Sequence, residues 1–211
     1  MTTERLLFAP DEYAAADPVA IVRRYPFAQF ITTGPTDILA TAIPLFFEND
    51  GDTTTMVGHM ARRNPQASVL DAGRRALAIF AGPHAYISAR WYQDRPTVPT
   101  WTYVTAHVRG TLEPIDDDVA QRAILRLTAR VLEGDTTTPW TLEQAPPGRV
   151  DQLMPKIRSF RLHVERIEGV MKLNQTHPPA DRVRIMERLL ERNDAGSHEI
   201  AHWMAGLGIE K

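Results

Sequence analysis

Residues 101–110, Trp-Thr-Tyr-Val-Thr-Ala-His-Val-Arg-Gly, constrain the fold more than any other stretch of this chain. In an extended strand successive side chains point to opposite faces. Trp101, Tyr103, Thr105, His107 and Arg109 therefore share one face, and Thr102, Val104, Ala106, Val108 and Gly110 share the other. The second face is small and apolar and has to be buried. The first carries rings and hydrogen-bonding groups, which suits a ligand, an interface or a solvated sheet surface. A strand of this kind needs a sheet around it with one face on a core.

The rest of the sequence supplies that sheet. Residues 27–33 are β-branched and aromatic and end at Gly34-Pro35, which reads as a strand and turn. Residues 37–47 read as the returning strand, 48–52 as a polar turn built on Asp50-Gly51, and 53–59 as a third strand. Residues 76–81, 101–112 and 159–173 complete the set. Asp17-Pro18 and Asn64-Pro65 each read as an N-cap with proline in the first helical position, opening helices to Arg24 and to about Asp71. Asp116-Asp117-Asp118 precedes a helical stripe of Ile124, Leu127, Thr128 and Val131, so the acidic run reads as a cap and dipole complement. Two more helices are expected over 179–192 and 197–205. The order predicts an α+β fold: a small antiparallel barrel over 1–175 with covering helices, and a helical tail over 176–211 packed on the same domain.

Composition narrows the function. With no cysteine, disulfides, thiolate metal sites and cysteine nucleophiles are all excluded. Lys and Arg total 24 against 26 Asp and Glu, a net charge of −2 that gives no global attraction to DNA or anionic membrane. The apolar run 38–47 is about half a membrane span and contains Pro44. Residues 1–5 show no basic start leading into an apolar core, so no secretory leader is read. The expectation is a soluble, cytoplasmic protein that does not engage membranes.

Three segments could carry chemistry. In 58–66, Gly-His-Met-Ala-Arg-Arg-Asn-Pro-Gln, a strand runs through His59 into Arg62 and Arg63 and then to the expected helix start at Asn64. Forked guanidinium donors beside a helix N-terminus make a phosphate cradle; the alternative is two solvated arginines next to an ordinary cap. In 82–103, two tryptophans and three tyrosines lie with His84 and Arg90, flat surface for a planar heterocycle or for an oligomer interface. The third, His198-Glu199-Ile200-Ala201-His202, matches the zinc-protease pattern H-E-x-x-H. A catalytic metal is not expected there, because no downstream third ligand is in reach and Ile200, Trp203, Met204 and Leu207 form a packing stripe. No P-loop or Rossmann glycine motif is present.

Gly82-Pro83-His84-Ala85-Tyr86-Ile87-Ser88, Trp91-Tyr92, Val98-Pro99-Thr100-Trp101, Tyr103 and His107-Val108 together resemble the PaiB family, as do Gly58-His59 with Asn64-Pro65 and Lys172-Leu173 with Gln175. The resemblance covers nearly the whole chain. It implies an FMN-binding split β-barrel like those of pyridoxamine phosphate oxidases and flavin reductases, a homodimer with flavin at the subunit interface, and a role in negative transcriptional regulation. It assigns His59, Arg62, Arg63, Asn64, His84, Trp101, Lys172 and Gln175 to the cofactor, with Lys172 near the flavin ring. One departure is Thr176-His177, where relatives carry Asn-Arg after the Gln. Three functions follow from the resemblance and stay open at this point: a flavoprotein with oxidoreductase or sensing chemistry, a regulator acting through DNA or a protein partner without flavin chemistry, and an empty barrel used as an interaction scaffold. No acid–base pair identifies a reaction.

Overall fold

The computed structural model describes residues 5–93, 97–134 and 136–207. Residues 1–4, on which the leader reading rests, lie outside them. Seven strands, β1 (Phe27–Thr33), β2 (Ile38–Pro44), β3 (Phe46–Phe47), β4 (Thr55–Ala61), β5 (Arg75–Ile87), β6 (Thr100–Ile115) and β7 (Ile157–Lys172), form one sheet in the order β2-β1-β5-β6-β7-β4-β3. Among the described residues five α-helices accompany them: α1 (Pro18–Arg24), α2 (Asp118–Glu133), α3 (Arg149–Leu153), α4 (Pro179–Leu190) and α5 (Ala195–Gly206). The fold is α+β.

The strand order forces the sheet to curl. β2 and β3 are its two edges, yet only Leu45 separates them in the chain. A flat seven-stranded sheet spans six inter-strand spacings, roughly 29 Å, whereas the step from Pro44 to Phe46 covers at most about 7 Å. The edges therefore come together at that end, and β2 is a spatial neighbour of β4. The ladder itself does not close, so the barrel is split. The last bond to the β1 side runs from the Leu45 N–H to the Pro26 carbonyl (2.9 Å), one step beyond the Phe27–Pro44 pair, and from Phe46 the chain pairs with Val57 of β4 instead. This is why the single returning strand expected over 37–47 is two strands.

The chain divides into two compact units, residues 26–79 with 108–167, and residues 1–25 with 80–107 and 168–211. In the first, all seven strands are represented. Its core includes Phe30 stacked on Phe160 at 4.7 Å between centroids, both fully buried. A second cluster joins Val57, Ile115 and Ile124, with Leu127 against it. Val131 at the end of the predicted α2 stripe is instead exposed. Two close approaches need glycine: a Cβ on Gly58 would lie 2.4 Å from Leu45 Cδ2, and one on Gly110 only 2.0 Å from the His163 carbonyl oxygen.

In the other unit α4 and α5 pack together, and Ile185, Leu189, Ile200 and Met204 are buried. The expected stripe on α5 holds through Met204, while Leu207 is exposed. Tyr25 ties α1 to α5: its hydroxyl donates to Glu199 Oε1 (2.6 Å) and accepts from Trp203 Nε1 (2.8 Å). Its ring lies so close to Gly82 that a Cβ there would come within 3.0 Å of Cε2.

Strand β5 is longer than the predicted 76–81. Within its continuation Pro83, Ala85 and Ile87 are buried while His84 and Tyr86 are exposed, so the motif 82–87 is itself a period-two strand. β6 has the alternation read from the sequence: Thr102, Val104, Ala106, Val108 and Gly110 are all buried, and their neighbours lie outward.

Candidate functional site

Two groups of the expected residues are brought together, one in each unit. In the unit containing 26–79, β4 and β7 pair antiparallel, with Ala61 opposite Ile157. The residues that follow β4 therefore meet those that precede β7. The N–H of Arg62 donates to the Lys156 carbonyl (2.8 Å), and Arg62 Nε donates to the Pro155 carbonyl (3.0 Å). The result is a cavity of about 850 Å³ lined by His59, Met60, Ala61, Arg62, Arg63, Lys156 and Ile157. Three cations face one pocket with no acidic group in its lining. Among the described residues the Arg62 guanidinium spends only its Nε, on the backbone, which leaves its outer fork available to a ligand. His59 lies on the same strand, and burial lowers its pKa, so the ring is neutral near pH 7.

Asn64 does not extend the cradle as a helix N-terminus would. The expected helix is a five-residue 3₁₀ turn, Pro65–Val69, and Asn64 caps it by accepting from the Gln66 N–H (2.9 Å). Asn64 Nδ2 donates to Thr41 Oγ1 (2.9 Å). Gln66, fully buried, anchors the turn instead of letting it grow. Its Nε2 reaches the Phe30 carbonyl, Thr32 Oγ1 and the Leu39 carbonyl at 3.1–3.3 Å. Lys156 was not among the residues expected from sequence. Nothing local marks it, because only the register of β4 on β7 brings it to Arg62 across more than 90 residues.

In the other unit, His84 and Tyr86 on β5 stand beside Trp101 on β6, with ring centroids 5.5 and 6.1 Å away. Trp101 is 53% exposed, which makes a flat aromatic shelf. Lys172, at the end of β7, donates to Thr100 Oγ1 (2.8 Å) and stands 5.9 Å from the Tyr13 ring centroid. His84, Trp101 and Lys172 are thus collected on neighbouring strands. Gln175 is not turned to such a surface: Nε2 donates to the Met171 and Glu12 carbonyls (2.6 and 2.9 Å), and Oε1 accepts from the Leu173 N–H (2.7 Å). It staples its own turn. Asn174, in the left-handed region at φ 59°, donates to the Tyr92 hydroxyl (2.9 Å), and the Tyr92 ring packs on His177 at 4.8 Å.

Two of the three H-E-x-x-H groups, Glu199 and His198, have structural partners. Glu199 accepts from Tyr25 and from Arg24 Nη2 (3.1 Å). His198 Nε2 lies 2.6 Å from the Arg192 carbonyl and 3.1 Å from that of Leu190. Both partners only accept, so this nitrogen carries a proton and offers no lone pair to a metal.

The curled, unclosed sheet with its covering helices is a split-barrel architecture. The flavocytochrome Anf3 from Azotobacter vinelandii superimposes with a TM-score of 0.59 at 15% identity, over 75% of this chain and 69% of its own. The FAD and heme binding protein from Mycobacterium smegmatis does so with a TM-score of 0.55 at 16% identity, over 76% and 73%. The family described as "Putative FMN-binding domain" matches residues 7–166. The Bacillus subtilis protein named "Protease synthase and sporulation protein PAI 2" is 30% identical over 184 residues, 87% of each chain. The chain belongs to this FMN-binding-domain family, the PaiB family, and FMN is the cofactor that membership implies. The chemistry of the donor set fits it, since Arg62, Arg63 and Lys156 supply the cations that a phosphate monoester needs. No helix among the described residues is long and apolar enough to cross a membrane.

Proposed function

We propose that this chain holds FMN by its phosphate in the pocket of Arg62, Arg63 and Lys156 and serves as a flavin-dependent redox or sensing protein. The observation that carries the reading is the convergence of three cations on one cavity at the β4–β7 junction. Arg63 and the outer fork of Arg62 donate to phosphate oxygens, and Lys156 adds a point charge. His59, neutral and lining the same cavity, offers one ring nitrogen as donor or acceptor. Bound flavin would supply hydride or single-electron transfer. The aromatic shelf of Trp101, His84 and Tyr86 is the surface we assign to self-association as a homodimer, because its rings stand exposed and are of the types enriched in interfaces. With a net charge of −2 there is no broad attraction to nucleic acid, so this reading places any regulatory output after the flavin rather than in direct DNA contact.

The test is paired titration of flavin-free protein with FMN and riboflavin. FMN should bind at least about tenfold more tightly, and Arg63→Ala should erase most of that preference while leaving riboflavin unchanged. Equal affinity of the wild type for the two flavins would place the phosphate elsewhere.

A further inference from the structure

A second cavity, of about 560 Å³, adjoins the basic pocket, and both are lined by His59 and Ile157. It is walled by the second half of α2, residues 140–146, and α3. Leu132, Trp140, Leu142, Leu153 and Met154 make its lining predominantly apolar. Leu132, Trp140 and Leu153 are 58%, 42% and 39% exposed, so the chamber leaves apolar surface uncovered. Its size is that of a small-molecule site. The charges around it are one-sided. Toward His59 lie Arg62, Arg63 and Lys156, with no carboxylate in that lining. The chamber's own lining adds Glu133 and Arg149, one charge of each sign. Among the described residues the His59 ring has no hydrogen-bond partner, and burial keeps it neutral near pH 7, so it can bond a polar group without competing with the cations for charge.

We propose that the two cavities together form a site for an amphipathic organic anion, with its aryl or acyl body in the chamber and its carboxylate, sulfonate or phosphate head among Arg62, Arg63 and Lys156. Shape selects the body, charge complementarity fixes the head, and the shared wall at His59 joins them in one ligand. This goes beyond the flavin reading and stands without it. If FMN uses the same cations for its phosphate, the anion and FMN compete, and the chain reports one at the expense of the other.

A matched pair of probes tests this: 8-anilinonaphthalene-1-sulfonate, which has body and head, and N-phenyl-1-naphthylamine, the same body without the sulfonate. Both should fluoresce on binding the full-length protein. Ala129→Trp, which fills the chamber from α2, should weaken both by about tenfold or more. Arg63→Ala should weaken the sulfonate about tenfold and leave the neutral probe unchanged. Leu132→Glu, at an exposed rim position that tolerates the change, gives an independent block should Ala129→Trp fail to fold by far-UV circular dichroism. The proposal is overturned if neither probe binds, if blocking the chamber affects neither, or if Arg63→Ala acts equally on both. Excess FMN should displace the sulfonate and not the neutral probe. If it fails to do so while Arg63→Ala still weakens the sulfonate, the flavin-phosphate reading falls and the anion site stands.

Discussion

Removing one oxygen, in Tyr25→Phe, should destabilise the protein by about 1.5–3 kcal/mol. The hydroxyl donates to a carboxylate at 2.6 Å and accepts an indole N–H at 2.8 Å. A hydrogen bond to a charged group contributes about 1.5–3 kcal/mol and a neutral one about 0.5–1.5. Tyr25, Glu199 and Trp203 are each half-buried, so the lower part of each range applies, and the sum falls in the stated window. The Arg24–Glu199 pair survives the substitution and adds little, since both side chains are a third or more exposed. The carboxamide of Glu199→Gln keeps an acceptor and loses only the charge, so that variant should cost about 1 kcal/mol. The phenol has a further signature. Its pKa is raised, first by burial and then by the Glu199 carboxylate. The stabilisation is therefore complete below about pH 10, the value for an unfolded tyrosine, and is lost as pH rises through the higher folded value. Urea denaturation read by circular dichroism measures all three effects, with an unchanged m-value showing that the unfolded state is not involved. A Tyr25→Phe variant within about 0.5 kcal/mol of wild type, or one keeping the wild-type loss of stability above pH 10, would refute the reasoning. It would also free Glu199 for another role.

Gly110→Ala should cost at least about 3 kcal/mol, because the added carbon meets a backbone carbonyl that cannot move without breaking strand pairing; thermal melts measure it. Gln66→Ala should cost about 2–4 kcal/mol by leaving buried acceptors without their shared donor, and amide exchange should rise at 66–69 first. The lowered His59 pKa means that the unfolded chain takes up a proton first as pH drops below about 6.5. Its contribution to stability is intact above that value and declines toward the folded pKa. His59→Gln should remove that part of the decline in a series of denaturant melts between pH 5 and 8, and an unchanged pH profile would contradict the burial assigned to the ring.

The parts of this fold legible in the sequence are those fixed by local pattern. β6 could be read because ten residues alternate without a break, and Asp17, Asn64 and Asp117 could be read as caps because each side chain bonds a backbone N–H two or three residues on. What could not be read depends on distant partners. Nothing near Lys156 announces Arg62, and nothing near Phe46 announces that it leaves the hairpin to pair with Val57. Asn64-Pro65 starts a helix correctly but does not reveal its length, which the buried side chain of Gln66 limits by reaching back to β1 and β2. At Gln175 the residue type was conspicuous, yet its amide serves the turn that carries it.

The single-residue step at Leu45 bears on how copies of the chain can meet. Open sheet rims invite strand addition from other chains, the route to runaway edge-to-edge association. Here the two rims are drawn together at one end, and the last strand on one side is only two residues long. An incoming backbone thus finds little free rim there. On the homodimer reading proposed above, association is then read out by side chains, which are specific to sequence in a way that a bare peptide rim is not, and it should respond to single substitutions on the faces of β5 and β6.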